Sequence, residues 1–223
     1  DEGQDFRTEW LPLLLRLLKP QGRAWWLEDP LQNLYGRPPT PLPGWVTLRS
    51  ETNYRSPREI LAALNRLNLS EHPFEAGSPL AGPAVEILSY ADAAGLVEAT
   101  KKALTLGLTA GFKRPQTAVV SFRGREHSQL FGLERIGPHS LRTFSGHYDL
   151  LGNPEFSAGE ILLETVYRFK GQSAPFIVFT EIDFEAFDER TVRKLFVGAT
   201  RASLKLVLVA SERAASMLRL SLE

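Results

Sequence analysis

The sequence contains no cysteine and a single methionine. With no thiols there are no disulfides and no thiolate metal sites, a composition that fits a reducing compartment. Lys and Arg number 26, Asp and Glu also 26, so the formal net charge is zero. No global field announces a polyanionic partner, and a groove for one must be a local basic patch. No apolar run approaches the ~20 residues that span a bilayer, and no charged-then-apolar leader precedes Asp1. A cytoplasmic location without a membrane partner is therefore expected. The four histidines, His72, His127, His139 and His147, show no metal-ligand spacing and read as structural or surface residues. Repeats and low-complexity tracts are absent. So is G-x-x-x-x-G-K-[ST], the loop whose amides and lysine cradle phosphates, since Gly111-Phe112-Lys113 lacks the rest of that pattern.

What is present centres on Arg193 to Ser211, RKLFVGATRASLKLVLVAS. Leu195, Phe196, Ala199 and Leu204 recur at or near helical spacing, and Val207 to Val209 form the unbroken apolar run of a strand buried on both faces. This is half of an α/β layer. Arg201 falls at the helix–strand junction, where a guanidinium either is an ordinary surface group or reaches a bound phosphate as a bidentate donor.

Four earlier segments accompany it: DEGQDF at 1–6, EDPLQNLY at 28–35, NYRS at 53–56 and TVYRFKGQSAP at 165–175. In order and spacing these segments, with Arg193 to Ser203 as the last, resemble motifs II to VI of superfamily-one helicases of the UvrD/Rep type. The resemblance implies a RecA-like α/β fold of the P-loop NTPase type, with a mostly parallel sheet flanked by helices. It also implies the C-terminal part of a longer motor. On this reading residues 1–40 are a remnant of a first RecA-like domain, and 41–223 are the second.

The rest of the chain fits that division. Glu9 to Leu18 is a leucine-rich helix stopped at Lys19-Pro20-Gln21-Gly22, and Arg23 to Leu27 a short strand. Having lost their partners, residues 1–40 are expected to pack on the second domain or to form a dimer with another copy. Gly36 to Gly44, with four prolines, is a stiff linker. Strands are then expected at 45–48, 84–90, 117–122, 140–144, 161–167, 175–180 and 204–210. Helices are expected at 57–67, capped by Ser56, and at 91–107, 128–133, 190–202 and 212–220. This alternation predicts a doubly wound parallel sheet, with phosphate chemistry at the carboxyl ends of the strands. The interval from Val120 to Thr165 is too short for a large inserted domain.

The site residues follow from the resemblance, position by position. Asp1 and Glu2 match the pair that holds hydrated Mg2+ and orients the attacking water. Gln32 matches the glutamine that senses the terminal phosphate, since an amide both donates and accepts. Tyr54 matches the residue stacked on adenine, and Arg55 a γ-phosphate contact. Gly171, with Lys170 beside it, gives close backbone approach to phosphate or ribose. Arg201 matches the arginine finger. Tyr35, Thr165, Tyr167 and Arg168 match positions along single-stranded DNA, with RNA not excluded. Tyr35 either stacks on a base or simply packs. The implied activity is an ATP-dependent DNA helicase or translocase. The chain alone is expected to be inactive without its phosphate loop, and the missing N-terminal RecA-like domain is an implied partner. The other reading is a non-catalytic nucleic-acid-binding or regulatory module descended from such a motor.

Overall fold

Three segments, 117–121, 174–182 and 202–211, are almost wholly buried, and each is too apolar on both sides to be anything but an inner strand. They organise the computed structural model, which describes residues 1–222; Glu223 lies outside the described residues. In chain order the elements are α1 (Trp10–Leu15), β1 (Thr52–Asn53), α2 (Arg58–Arg66), β2 (Glu75–Ala76), β3 (Glu86–Tyr90), α3 (Ala93–Thr109), β4 (Thr117–Ser121), β5 (Arg135–Ile136), β6 (His139–Arg142), β7 (Phe144–Tyr148), β8 (Pro154–Phe156), β9 (Ile161–Thr165), β10 (Ala174–Ile182), α4 (Glu189–Thr200), β11 (Ala202–Ser211) and α5 (Glu212–Leu222). A seven-stranded sheet runs β3-β11-β10-β4-β9-β6-β5. Its pairings are parallel except for the short β5–β6 edge.

Strand alternation sorts the side chains into two cores. Phe176, Val178, Val207 and Val209 face α3, whose Leu96, Ala103 and Leu104 close that layer. Ile177, Phe179, Leu206 and Leu208 face the opposite layer, built by α2, α4 and α5. Glycine lets both helices approach β10 closely. A Cβ at Gly107 of α3 would lie 2.0 Å from the Phe176 ring, and one at Gly198 of α4 2.3 Å from Phe179.

Several sequence expectations are corrected. Residues 23–27 and 45–48 form no strand. Trp25, Leu27, Val46 and Leu48 are exposed, so β propensity there finds no neighbouring edge to pair with. α1 stops at Leu15, short of Leu18, and its Trp10, Leu13, Leu14 and Leu15 are exposed. Ser56 does not cap α2: Pro57 is the flanking residue, and Asn53 Oδ1 takes the Arg55 and Ser56 N–H groups at 2.9 Å each. Residues 128–133 form no helix, because Glu181 captures the Ser128 hydroxyl at 2.5 Å and the Gln129 N–H at 2.7 Å. The β5–β6 edge, the β7–β8 hairpin and the β1–β2 pair are additions that the sequence reading lacks.

Residues 36–44 have no regular structure, as expected of the proline-rich linker. Ahead of them, Leu34 is buried in the α4 layer and Leu31 packs against it, tying the N-terminal segment to the sheet domain. Among the described residues, no helix is long and apolar enough to cross a membrane.

Candidate functional site

α4 ends at Thr200, whose hydroxyl turns back to the Phe196 carbonyl at 2.8 Å, and Arg201 is its C-cap. The Arg201 carbonyl accepts the Ala174 N–H at 3.1 Å, so the residue is fixed where β10 and β11 begin. Arg201 thus sits at the amino ends of these strands. Arg201 is only 2% exposed. Its Nη2 donates to Gln32 Oε1 at 3.2 Å, while its Nε is buried with no partner. Burial lowers its pKa first and the neighbouring Arg55 charge second, with Glu2 and Asp29 opposing both. A guanidinium so far above neutrality stays charged, and an unpaired buried N–H on a cation calls for an anion.

Gln32 is held from its other side as well. A short 3-10 turn, Pro30–Gln32, starts at Asp29, whose Oδ1 accepts the Leu31 N–H at 3.0 Å and whose Oδ2 accepts Gln32 Nε2 at 2.8 Å. Gln4 joins this turn to the N-terminus: its Oε1 accepts the Asp29 N–H at 3.0 Å and its Nε2 donates to Glu2 at 2.5 Å. Lys170 closes the line, its ammonium 3.1 Å from Glu2 and 2.5 Å from Asp5. Lys170, Glu2, Gln4, Asp29, Gln32 and Arg201 therefore form one polar chain. Sequence reasoning assigned nothing to Gln4 or Asp29. Their only signal was membership of the two N-terminal motifs.

The remaining phosphate-side residues lie around this chain. Arg55 is exposed, close enough to Arg201 for its charge to be felt. Tyr54 is 74% exposed, and its ring covers Gly77, where a Cβ would lie 2.5 Å from it. Gly171 adopts φ +80° with open space where a Cβ would be. The left-handed backbone, rather than crowding within the protein, is what requires glycine there. Asp1 is exposed, and its Oδ1 accepts the Glu2 N–H at 2.9 Å.

Residues 160–209 match a family model, the UvrD-like helicase C-terminal domain. That part of the chain is similar to the UvrD-like helicase C-terminal domain. The matched stretch holds β9, β10, α4 and β11, and with them Thr165, Tyr167, Arg168, Lys170, Gly171 and Arg201. The crystal structure of the C-terminal domain of a possible DNA helicase from Lactobacillus plantarum WCFS1 has the same fold, with a TM-score of 0.50 and 13% identity over 74% of this chain and 91% of that one. Among curated proteins nothing matches.

The two candidate strand-binding tyrosines meet. Tyr35 and Tyr167 have ring centroids 6.2 Å apart, and the Arg37 guanidinium lies 5.5 Å over Tyr35. The Tyr167 hydroxyl accepts from Arg190 at 3.2 Å, and Lys194 lies 4.4 Å over Phe122 and 5.5 Å over Tyr167. Arg190 and Lys194 of α4 are thus basic partners that the sequence reading missed. Thr165 and Arg168 are placed differently. Thr165 is 3% exposed and its hydroxyl accepts the Arg168 N–H at 3.2 Å. Arg168 is paired with buried Glu164 at 3.2 Å and lies 3.9 Å over Phe144, so both residues are engaged within the protein.

Proposed function

We propose that this chain is the second motor domain of an ATP-dependent DNA helicase or translocase, cytoplasmic in location, and that it supplies the arginine finger. The observation that carries this reading is Arg201: nearly fully buried, with an unpartnered Nε, beside Arg55, and joined through Gln32 to the N-terminal motif residues. Two guanidiniums side by side suit the oxygens of a polyphosphate. Arg201 then stabilises charge that develops on the γ-phosphoryl group, while Gln32, which donates to Asp29 and accepts from Arg201, reports whether that phosphate is present. Glu2 would orient the attacking water once released from Lys170. Tyr54 offers an exposed face for adenine, and Gly171 with Lys170 borders the phosphates.

On this reading Asp1 and Glu2 would hold hydrated Mg2+. That ion keeps several waters and takes one or two carboxylates with substrate phosphates, and Asp1 and Glu2 supply two. When bound, it would neutralise charge on the phosphates. Tyr35 and Tyr167 with Arg37 and Arg190 offer stacking faces and charge to single-stranded DNA, where each stacked base is worth about 1–3 kcal/mol. β9 ends at Thr165 and β10 begins at Ala174, so the segment between them joins the tyrosine surface to Lys170 and Gly171. Movement of this segment would couple hydrolysis to grip on the strand.

The sequence has no phosphate loop, so on this reading a first RecA-like domain would complete the site. The 223-residue chain alone is expected to show no ATP turnover above background. The test is single-strand-stimulated ATPase activity of the complete motor, wild type beside Arg201→Ala.

A further inference from the structure

A cavity lies far from Arg201 in the topology, at the carboxyl ends of the strands. It encloses about 510 Å³ and is lined by Tyr90, Arg123, Gln129, Asp183, Ser211 and Arg213, among others. These residues follow or end β3, β4, β10 and β11, which are neighbours in the sheet. β3 and β11 are adjacent and parallel, yet β3 leads into α3 on one face and β11 into α5 on the other. Adjacent strands whose connections leave to opposite faces open a crevice at their carboxyl ends, and ligands of open α/β sheets bind in such crevices.

The crevice is also built chemically. The Tyr90 hydroxyl is buried and has no hydrogen-bond partner. Arg123 gives only Nη2 to Asp183, at 3.3 Å, leaving its other N–H groups free. Arg213 reaches Asp183 at 3.1 Å and Glu185 at 2.7 Å, and Ser211 donates to Asp183 at 2.7 Å. One carboxylate thus stands between two guanidiniums; α3 and α5 both begin at the rim, α3 capped by Asp92, whose Oδ1 accepts the Gly95 N–H at 2.8 Å, and α5 opening on Glu212. Glu181, two residues before Asp183, is fully buried at φ +58° within β10, where the register with β11 shifts. A non-glycine residue held in that region is strained, and such strain gathers beside ligand sites. Its carboxylate accepts the Gln129 N–H at 2.7 Å and so fixes the loop carrying Gln129.

We propose that this crevice binds a phosphoryl group, with Arg123, Arg213 and Tyr90 as its donors, at a site separate from that of Arg201. The phosphoryl group comes either from a free mononucleotide or from the backbone of a single strand, and the two sources share this chemistry. The inference does not depend on the reading of Arg201.

The test is calorimetric titration of the 223-residue chain with inorganic phosphate, adenosine monophosphate and a short single-stranded oligonucleotide. Wild type, Tyr90→Phe and Arg123→Gln are compared, with exposed Lys102→Gln as the control. Saturable binding is expected, weakened about tenfold by Arg123→Gln and several-fold by Tyr90→Phe, and unchanged by Lys102→Gln. Tighter binding of the mononucleotide than of phosphate identifies a free ligand, whereas gain only with the oligonucleotide identifies a strand. Tyr90→Phe removes an unpartnered hydroxyl without changing shape, so its fold is retained even if Arg123→Gln disturbs the Asp183 cluster. Three results would each overturn the proposal: no saturable binding of any probe, wild-type affinity in both crevice variants, or an equal loss of binding in Lys102→Gln.

Discussion

Arg201 donates to Gln32 across a sequence separation of 169 residues, at 3.2 Å. The contact joins the last motif of the chain to one near its start, and it leaves Arg201 Nε as the unsatisfied donor. Gln32→Ala removes the acceptor and leaves the guanidinium with less compensation, at an expected cost of about 1–3 kcal/mol. Urea unfolding of Gln32→Ala, Arg201→Ala and the double variant should give a coupling of about 0.5–3 kcal/mol. Strict additivity would remove the contact as an energetic link.

Gly198 and Phe179 give a packing test. A methyl group at Gly198 would meet the ring at 2.3 Å, and Phe179 is fully buried with nowhere to move. Gly198→Ala should therefore destabilise by about 1–3 kcal/mol despite the better helix propensity of alanine. Gly124→Ala is the control, since a Cβ there meets nothing within 4 Å. A lower midpoint for Gly198→Ala beside an unchanged one for Gly124→Ala is the expected pair.

Glu181 accepts from the Ser121 hydroxyl, the Ser128 hydroxyl and the Gln129 N–H. Glu181→Ala orphans these donors, of which Ser121 is buried, and the expected loss is about 1–3 kcal/mol. Hydrogen exchange should also quicken at Gln129. Unchanged exchange there would mean that the loop is held by something else.

Burial is the chief cause that pushes the Tyr90 phenol from 10.0 up to about 12. The folded state holds this proton more tightly than the unfolded chain. Its contribution is therefore fully present below pH 10 and is lost as pH rises from there towards 12. Stability measured against pH for wild type and Tyr90→Phe should run in parallel below that window and diverge within it, with wild type falling faster. Parallel curves throughout would contradict the burial of the hydroxyl.

The sheet was legible where burial is strongest. β4, β10 and β11 are apolar enough on both faces to be read directly, and the periodicity of α3 and α4 marks their inward stripes. Elements that depend on a partner were not legible. Trp45 to Leu48 has strand-like residues without an edge to pair with, and Ser128 to Leu133 loses its helix to a carboxylate 52 residues away at Gln129. The candidate site was legible only as separate motifs. Their order gave Glu2, Gln32, Lys170 and Arg201, but the polar line through Gln4 and Asp29 is a tertiary fact. The position of Arg201 at the amino ends of the strands follows from α4 leading into β11, which the residue spacing already contained.

The central claim is that Arg201 acts on the γ-phosphoryl group of ATP in a nucleic-acid-driven motor. The most direct measurement is ATP turnover by the complete motor containing this chain, with and without single-stranded DNA, in wild type and Arg201→Ala. The account expects stimulation in wild type and a fall of about 10³-fold or more in the variant, with nucleotide binding retained. Stimulated turnover at the wild-type rate in Arg201→Ala would contradict it.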